Sequence, residues 1–355
     1  MYARDRSTIE YTMNMRFATE AEIQQWDTIV PQNPDGGNVL QGFVFTDLKR
    51  ASGWTIRHII CDTAAMTAME KRIPLLGRVW YIPKGPGVTS AKELQTVVDE
   101  LQPFAKKHGV FTVKIEPELP LGTDLSALGL VPTQPIQYNC STVVVDLHDN
   151  LETIMKNLPQ KGRHAIKRAE RDGVVVKMVE STPENCDIMY ELFTETATGA
   201  GFAIRSRQYY HDFYQRYGEA GQGQLFFAYF DGKLIAGAYA LIYGNRSTYK
   251  DGASTREKIT YGGSHYLQWK VIEWAKSRGS VAHDLCGTPP AADIADPKHP
   301  FYGLGRFKTS FNKQVTDYVG AYELPISGWK TKLWVAYVEK LVRRLYFTRR
   351  HESYY

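Results

Sequence analysis

The segment from Asp296 to Phe311 is the most unusual part of the chain: it is rich in aromatic residues and glycine, and Arg306 and Lys308 flank Phe307. A lysine held among aromatic rings can stabilise the oxyanion of an acyl transfer as the reaction passes through its tetrahedral intermediate. A packed connection fits the same residues. A second candidate is the run Gly201-Phe202-Ala203-Ile204-Arg205, followed by Tyr209 and Tyr210. An arginine there can fork onto a phosphate or carboxylate of a ligand, or pair with a carboxylate of the protein itself. Third, Arg163, Lys167 and Arg171 lie four residues apart, on one face of a helix predicted over Met155–Gly173, with Ile166 and Ala169 on the other side. That face suits a polyanion such as tRNA or a lipid headgroup. It also suits a solvated helix balanced by Glu170 and Asp172. Last, Leu333, Trp334, Tyr337, Leu341 and Leu345 recur at helical spacing beside Lys332, Lys340, Arg343 and Arg344. Such a tail can dock on an anionic bilayer or RNA, or pack on the preceding domain.

Other chemistries lose their usual support. The chain has no P-loop, no G-x-G-x-x-G after a strand, no G-x-S-x-G elbow and no HExxH. Its 9 histidines show no metal-ligand spacing. The four cysteines, Cys61, Cys140, Cys186 and Cys286, form no CxxC pair, which predicts neither a disulfide framework nor a metal site and suits a reducing compartment. The beginning of the chain has no apolar stretch of the signal-peptide kind, and no run approaches the ~18 apolar residues of a membrane span.

These side chains need a scaffold, and 355 residues are enough for two domains. The periodicity reads as α/β. Helices are expected near residues 20–30, over Gln41–Ser52 and over Ala91–His108, the last with Leu94, Val97, Val98, Leu101 and Phe104 on one face. Strands are expected at Thr55–Asp62, Ala64–Glu70, Arg78–Ile82 and Phe111–Ile115. Farther on, strands at Leu225–Phe230 and Leu234–Tyr243 flank an Asp231-Gly232 turn, and a helix covers Ser264–Ser277. Two helix ends match: Ala105 to Gly109 and Ala275 to Gly279. Each precedes a strand with an acid near its end, Glu116 and Asp284. This predicts an internal duplication of one α/β unit, with domains at 1–147 and 148–325 and a basic amphipathic helix at 326–355. A net charge of +5 and an isoelectric point near 8.8 tolerate an anionic partner.

Taken in order, the pieces resemble the FemABX family of peptidoglycan cross-bridge aminoacyltransferases over roughly residues 15 to 325. The matching stretches are Leu40-Gln41 to Lys49, Trp80 to Pro86, Val113 to Pro117, Lys161 to Glu170, Gly201 to Arg205, and Asp296-Pro-Lys298-His-Pro300 to Arg306-Phe307-Lys308. The resemblance implies two tandem GNAT-like (acyl-CoA N-acyltransferase-like) domains with mixed sheets flanked by helices. It implies aminoacyl-tRNA as donor. The acceptor would be the third-residue side-chain amine of a peptidoglycan precursor's stem peptide, the precursor being UDP-MurNAc-pentapeptide or lipid II. No metal, ATP or other cofactor is expected, because the donor ester is already activated. Lys49 and Arg205 match the pair that meets the precursor's diphosphate, and Tyr209 and Tyr249 match tyrosines of the acceptor site. Arg306 and Phe307 flank the family's Lys308, which faces the developing oxyanion or the tRNA end. Glu116 stands where some members carry Asp, a proposed general base. Arg163, Lys167 and Arg171 fall in the basic helix that would meet tRNA. No room exists between Asp251 and Gly279 for the coiled-coil arm of staphylococcal-type members, which implies a compact member. A cytoplasmic location is expected, with peripheral contact at the inner membrane face through the tail. The rival reading is a GNAT-type enzyme using acyl-CoA, although Thr260-Tyr-Gly-Gly-Ser264 lacks the usual pyrophosphate pattern. A binding module without catalysis would leave the Arg306-Phe307-Lys308 segment unexplained.

Overall fold

A computed structural model describes residues 14–137, 140–200, 204–257, 259–350 and 354–355. Gly201, Phe202 and Ala203 of the Arg205 motif lie outside the described residues. The chain opens with β1 (Arg16–Phe17) and the helices α1 (Glu20–Gln24), α2 (Trp26–Ile29) and α3 (Phe43–Ala51). The strands β2 (Thr55–Ile60), β3 (Ala65–Ile73) and β4 (Gly77–Ile82) form a meander. It leads into α4 (Ala91–Lys107), β5 (Val110–Ile115) and β6 (Val131–Thr133). After β7 (Ser141–Thr142) and β8 (Val144–Asp146) come α5 (Leu151–Asn157), α6 (Gln160–Arg171), β9 (Val175–Val179), α7 (Pro183–Ala200) and α8 (Arg207–Glu219). The second meander is β10 (Gly223–Phe230), β11 (Lys233–Tyr243) and β12 (Arg246–Ser254), followed by α9 (Gly263–Ser277) and β13 (Ala282–Asp284). The chain continues through α10 (Tyr302–Lys308), β14 (Thr316–Asp317), β15 (Ala321–Pro325) and α11 (Gly328–Leu333). A π-helical turn, Trp334–Val338, then joins α11 to α12 (Glu339–Arg350).

The two sheets repeat one plan. The first has the order β1-β2-β3-β4-β5-β15-β6 and the second β9-β10-β11-β12-β13-β8. In each, an antiparallel meander ends in a parallel pair, β4 with β5 and β12 with β13, joined through the long helix α4 or α9. Gly109 and Gly279 follow these helices with φ of +70° and +86°, the left-handed conformation in which glycine ends a helix at low steric cost. The fold is therefore two tandem GNAT-like α/β units.

The boundaries differ from the sequence reading because each unit is completed by a strand from the other side of the junction. Val144–Asp146, assigned above to the first domain, pairs with β13 in the second sheet. Ala321–Pro325, assigned above to the second, inserts between β5 and β6 in the first. At this crossing β7 pairs with β14. The tail likewise packs on the first unit: Trp334 is buried edge-to-face against Phe111, and Lys330 Nζ donates to the Leu76 carbonyl at 2.8 Å. Fully buried Lys114 locks the arrangement, lying 2.7 Å from Glu323 on β15 and 3.4 Å from Glu339 on α12. The predicted helix over Met155–Gly173 is two helices, because Pro159 cannot donate a backbone hydrogen bond within a continuous helix.

Between the units lies a core of its own. Trp26, Trp54 and Tyr81 from the first pack in one cluster with Phe213, Tyr214, Tyr239 and Tyr243 from the second. Polar contacts cross the same boundary, including Gln222 to Asp27 at 2.8 Å and Arg246 to Glu118 at 3.6 Å. This packing fixes the walls of the cleft between the units.

Candidate active site between the two units

One end of the cleft is a pocket of about 630 Å³ lined from both units: Lys49, Trp54 and Lys71 from the first, Arg205, Tyr209 and Arg216 from the second, with Tyr346 and Tyr354 from the tail. Lys49 sits in the last turn of α3, its ammonium 5.2 Å from the Phe45 ring centroid. Arg205 precedes the Ser206 cap of α8, so its guanidinium lies over the Tyr209 ring at 4.5 Å. Lys71 is held by three rings, Trp54, Tyr346 and Tyr354, at 4.4–4.8 Å, and burial lowers its pKa to about 8. Clustered cations with aromatic walls suit a multiply charged anion such as a diphosphate. The structure thus brings Lys49, Arg205 and Tyr209, singled out in the sequence, into one pocket. Lys71 joins them unannounced, because its pattern is that of an ordinary strand lysine.

Lys308 ends α10 and is almost fully buried. Its ammonium donates to the carbonyls of Cys286 and Gly287, the latter at 2.8 Å. An ammonium has three donors, so one remains for a ligand. Burial lowers the Lys308 pKa to about 8, although Cys286 and Asp284 work in the opposite direction. Cys286 adopts φ of +55°, which costs a non-glycine residue roughly 1–2 kcal/mol. Lys84, from the first unit, has φ of +47°. Burial opposes the Lys84 charge, but Glu118, then Glu116 and Asp284, outweigh it and hold its pKa above the ordinary lysine value.

Lys250 joins these two regions. It lies 5.1 Å from the Phe213 ring centroid and 3.1 Å from Asp251, within electrostatic reach of Tyr209 and Tyr210 on one side and the Cys286 thiol on the other. Burial works against its charge, but Asp251 and the tyrosines raise its pKa overall. A bulge in the β11–β12 pairing, between Tyr239 and Ala240, turns Lys250 to this side. Tyr249, predicted at the acceptor site, instead packs against the hydrophobic core of the second unit. The bulge breaks strand alternation, so no sequence pattern could give the facing.

Three other expectations change. Phe307 packs edge-on to His265 and Phe311 in the second core and anchors α10, while Arg306 is exposed over Tyr302. Of these three residues only Lys308 buries a charge, against the Cys286 and Gly287 carbonyls. The Glu116 carboxylate accepts from Tyr81 Oη at 2.6 Å and from the backbone N–H groups of Ile136 and Gln137 at 2.6 and 3.1 Å. Its oxygens are committed to holding the loop that joins the units, which makes it a positioning residue. Arg163 caps α5 by donating to the carbonyls of Lys156 and Leu158, both at 2.6 Å.

The basic helix nevertheless forms a surface groove of about 450 Å³, where Lys161, Arg163, His164 and Lys167 meet Tyr261. Arg168 lies 5.1 Å over the Tyr261 ring. Arg171 is exposed one turn farther on, beside Asp172, and is not part of the groove. Gly162 lets α6 close onto the segment that carries Lys308: a Cβ there would collide with the Ser310 carbonyl. Rings from the tail also enter the cleft. Tyr355 stacks on Trp54, meets Tyr81 edge-on, and its carbonyl oxygen accepts from Arg205 at 3.4 Å.

Residues 157–292 match the family described as "Acetyltransferase (GNAT) domain". The lipid II:glycine glycyltransferase of Staphylococcus aureus (strain MRSA252) is 21% identical over 388 residues, covering 84% of this chain and 90% of that protein. A crystal structure of FemX superposes with a TM-score of 0.76 at 19% identity, over 90% of this chain and 98% of that one. The C-terminal domain of a putative lysylphosphatidylglycerol synthetase from Agrobacterium fabrum gives 0.53 at 15% identity, over 90% and 96%. Over most of its length the chain is thus similar to FemABX-type aminoacyltransferases. Among the described residues it carries no coiled-coil arm between Asp251 and Gly279. β12 ends at Ser254, α9 begins at Gly263, and α9 is the one helix between Asp251 and Gly279 among the described residues. No helix among the described residues is long and apolar enough to cross a membrane.

The start of α9 also bears on acyl-CoA. In the second unit the N-terminus of α9 is where a GNAT enzyme would cradle a pyrophosphate. Here α6 covers it: Gly262, with φ of +80°, is so close to the Ala165 carbonyl that no side chain fits.

Proposed function

We propose that this protein transfers an amino acid from aminoacyl-tRNA to the side-chain amine of the third stem-peptide residue of a peptidoglycan precursor. The reading is supported by the pocket that joins Lys49 and Arg205 from different units and by the buried Lys308 ammonium, with Lys250 in electrostatic reach of Tyr209 on one side and Cys286 on the other. The name of the staphylococcal relatives supplies the acceptor class, a peptidoglycan lipid intermediate, and an aminoacyl group as cargo. In this reading Lys49, Arg205 and Lys71 hold the precursor's diphosphate, and the stem peptide runs past Tyr209 and Lys250 towards Lys308. The basic groove with Tyr261 receives the tRNA end, because α6 abuts the Lys308 segment.

The chemistry balances without an added reagent. The amine nitrogen attacks the ester carbonyl carbon and a C–N bond forms. The carbonyl oxygen becomes an oxyanion stabilised by the Lys308 ammonium. The C–O bond to the tRNA 3′ end then breaks, and the proton lost by the amine leaves with the tRNA as its hydroxyl. Glu116 is not the proton acceptor in this scheme, because its oxygens are already engaged.

The test is a transfer assay with purified protein, tRNA charged with labelled amino acids, and UDP-MurNAc-pentapeptide or lipid II in detergent, read by mass. A gain of one amino-acid residue on either acceptor supports the reading and names the donor. No product with either acceptor, together with acetyl-CoA turnover, would replace it with an acyl-CoA reaction.

A further inference from the structure

The tail presents a surface that nothing in the cleft uses. Trp329, Leu333, Tyr337, Leu341 and Leu345 recur every fourth residue from α11 to α12, and all are exposed, between 39% and 72%. They extend along one side of the helix for about 24 Å at 1.5 Å per residue. The tip of the β3–β4 turn adds Leu75, fully exposed and next to Leu76, whose carbonyl holds Lys330. The other side of the tail is buried: Trp334, Val335, Val338 and Val342 pack on Ile73, Val79 and Phe111. The exposed stripe is thus an outward face on an anchored helix.

Its charge is one-sided. Residues 326–350 contain seven Lys and Arg and a single acid, Glu339. Glu339 points inward, to Lys114 and Tyr355 Oη. Lys332, Lys340, Arg344 and Arg349 are exposed alongside the apolar stripe. A nucleic acid would be met by the cations but has no use for a row of leucines. Large apolar side chains flanked by cations are the composition of a helix lying in the interface of an anionic bilayer.

We propose that residues 328–349 dock the protein in the plane of an anionic membrane. Tyr346, on the same helix, lines the pocket with Lys49 and Arg205, so the membrane would lie beside that pocket. If the function proposed above holds, the acceptor taken at this surface is the lipid-linked precursor, whose diphosphate lies at the headgroup level.

Flotation with vesicles tests this. The protein should float with vesicles containing anionic phosphatidylglycerol and remain behind with purely zwitterionic phosphatidylcholine. Leu341→Glu combined with Leu345→Glu changes only exposed positions and should reduce the bound fraction at least 10-fold. Lys340→Glu with Arg344→Glu should do the same at low salt. In the transfer assay the leucine variant should lose lipid II in vesicles as substrate while turning over the soluble UDP-linked precursor at the unaltered rate. Absence of flotation with anionic vesicles overturns the proposal, as does binding that both variants retain. A dimer in sedimentation that the leucine variant dissolves, without vesicle binding, would assign the face to a second copy instead. Flotation without any transfer activity supports docking and counts against the catalytic reading alone.

Discussion

In the first unit, Glu116 follows the parallel strand β5 and grips the backbone of Ile136 and Gln137 together with Tyr81. In the second, Asp284 ends the parallel strand β13, accepts from the Thr142 hydroxyl and receives the Cys286 N–H at 2.7 Å. The duplicated fold has put an acid at the same place twice, and both acids hold the segment that links the units. The stretches of chain beyond the two acids differ. After Asp284 the chain turns through the left-handed Cys286, and its carbonyl and that of Gly287 seat Lys308. After Glu116 come Glu118 and its partners Lys84 and Arg246, an ion-pair network across the junction. In the proposed function one scaffold therefore serves as anchor in one unit and as reaction centre in the other. On that proposal the chemistry belongs to the added residues and not to the shared fold.

Substitutions at the reaction centre should have the greatest effect. Lys308→Ala should lower kcat by about 10²–10³, as loss of an oxyanion donor does, with the melting temperature little changed. Full turnover in that variant would leave the second unit without its distinguishing part. The pH profile separates two roles for the same group. If the ammonium is the active form, kcat falls as pH rises through about 8, whereas a rise would make the neutral amine a base. Stability should respond in the opposite direction. The native state holds fewer protons at Lys308 than the unfolded chain between about 8 and the ordinary lysine value, so this group's contribution increases with pH in that window.

Next comes the pocket. Lys49→Ala and Arg205→Ala should each raise KM for the precursor about 10-fold or more, in line with the ~1.5–3 kcal/mol of a charged hydrogen bond. Lys167→Ala and Tyr261→Ala should weaken tRNA binding several-fold, the lysine variant also flattening the salt dependence by about one phosphate contact. Arg171→Ala should do less. In the anchoring unit, Glu116→Gln should cost least, below ~10-fold in kcat. A loss of 10²–10⁴, the range of a general base, would restore Glu116 to the chemistry and erase the contrast between the units.

Much of this was legible in the sequence for physical reasons. α4 was readable because Leu94, Val97, Val98 and Leu101 mark one buried face. The duplication was readable because Gly109 and Gly279 must both be left-handed. Arg205 and Lys308 stood out by type and surroundings, and Lys49 through the family resemblance. The strand exchange was not readable, since Val144–Asp146 and Ala321–Pro325 are short and carry no mark of which sheet they complete. Lys250 was hidden by a bulge, and Lys71 by rings contributed from residues 54, 346 and 354. Nor does a basic residue announce that it caps a helix, as Arg163 does.

If one end of the cleft binds the acceptor and the other performs the transfer, binding and turnover must separate in the variants. Calorimetric affinity for the UDP-linked precursor, compared among Lys49→Ala, Arg205→Ala and Lys308→Ala, measures that separation. Kd should rise about 10-fold or more in the first two and stay unchanged in the third, which nevertheless fails to turn over. Weakened binding in Lys308→Ala, with the other two binding as the native protein does, would reverse the two ends and overturn this division of labour.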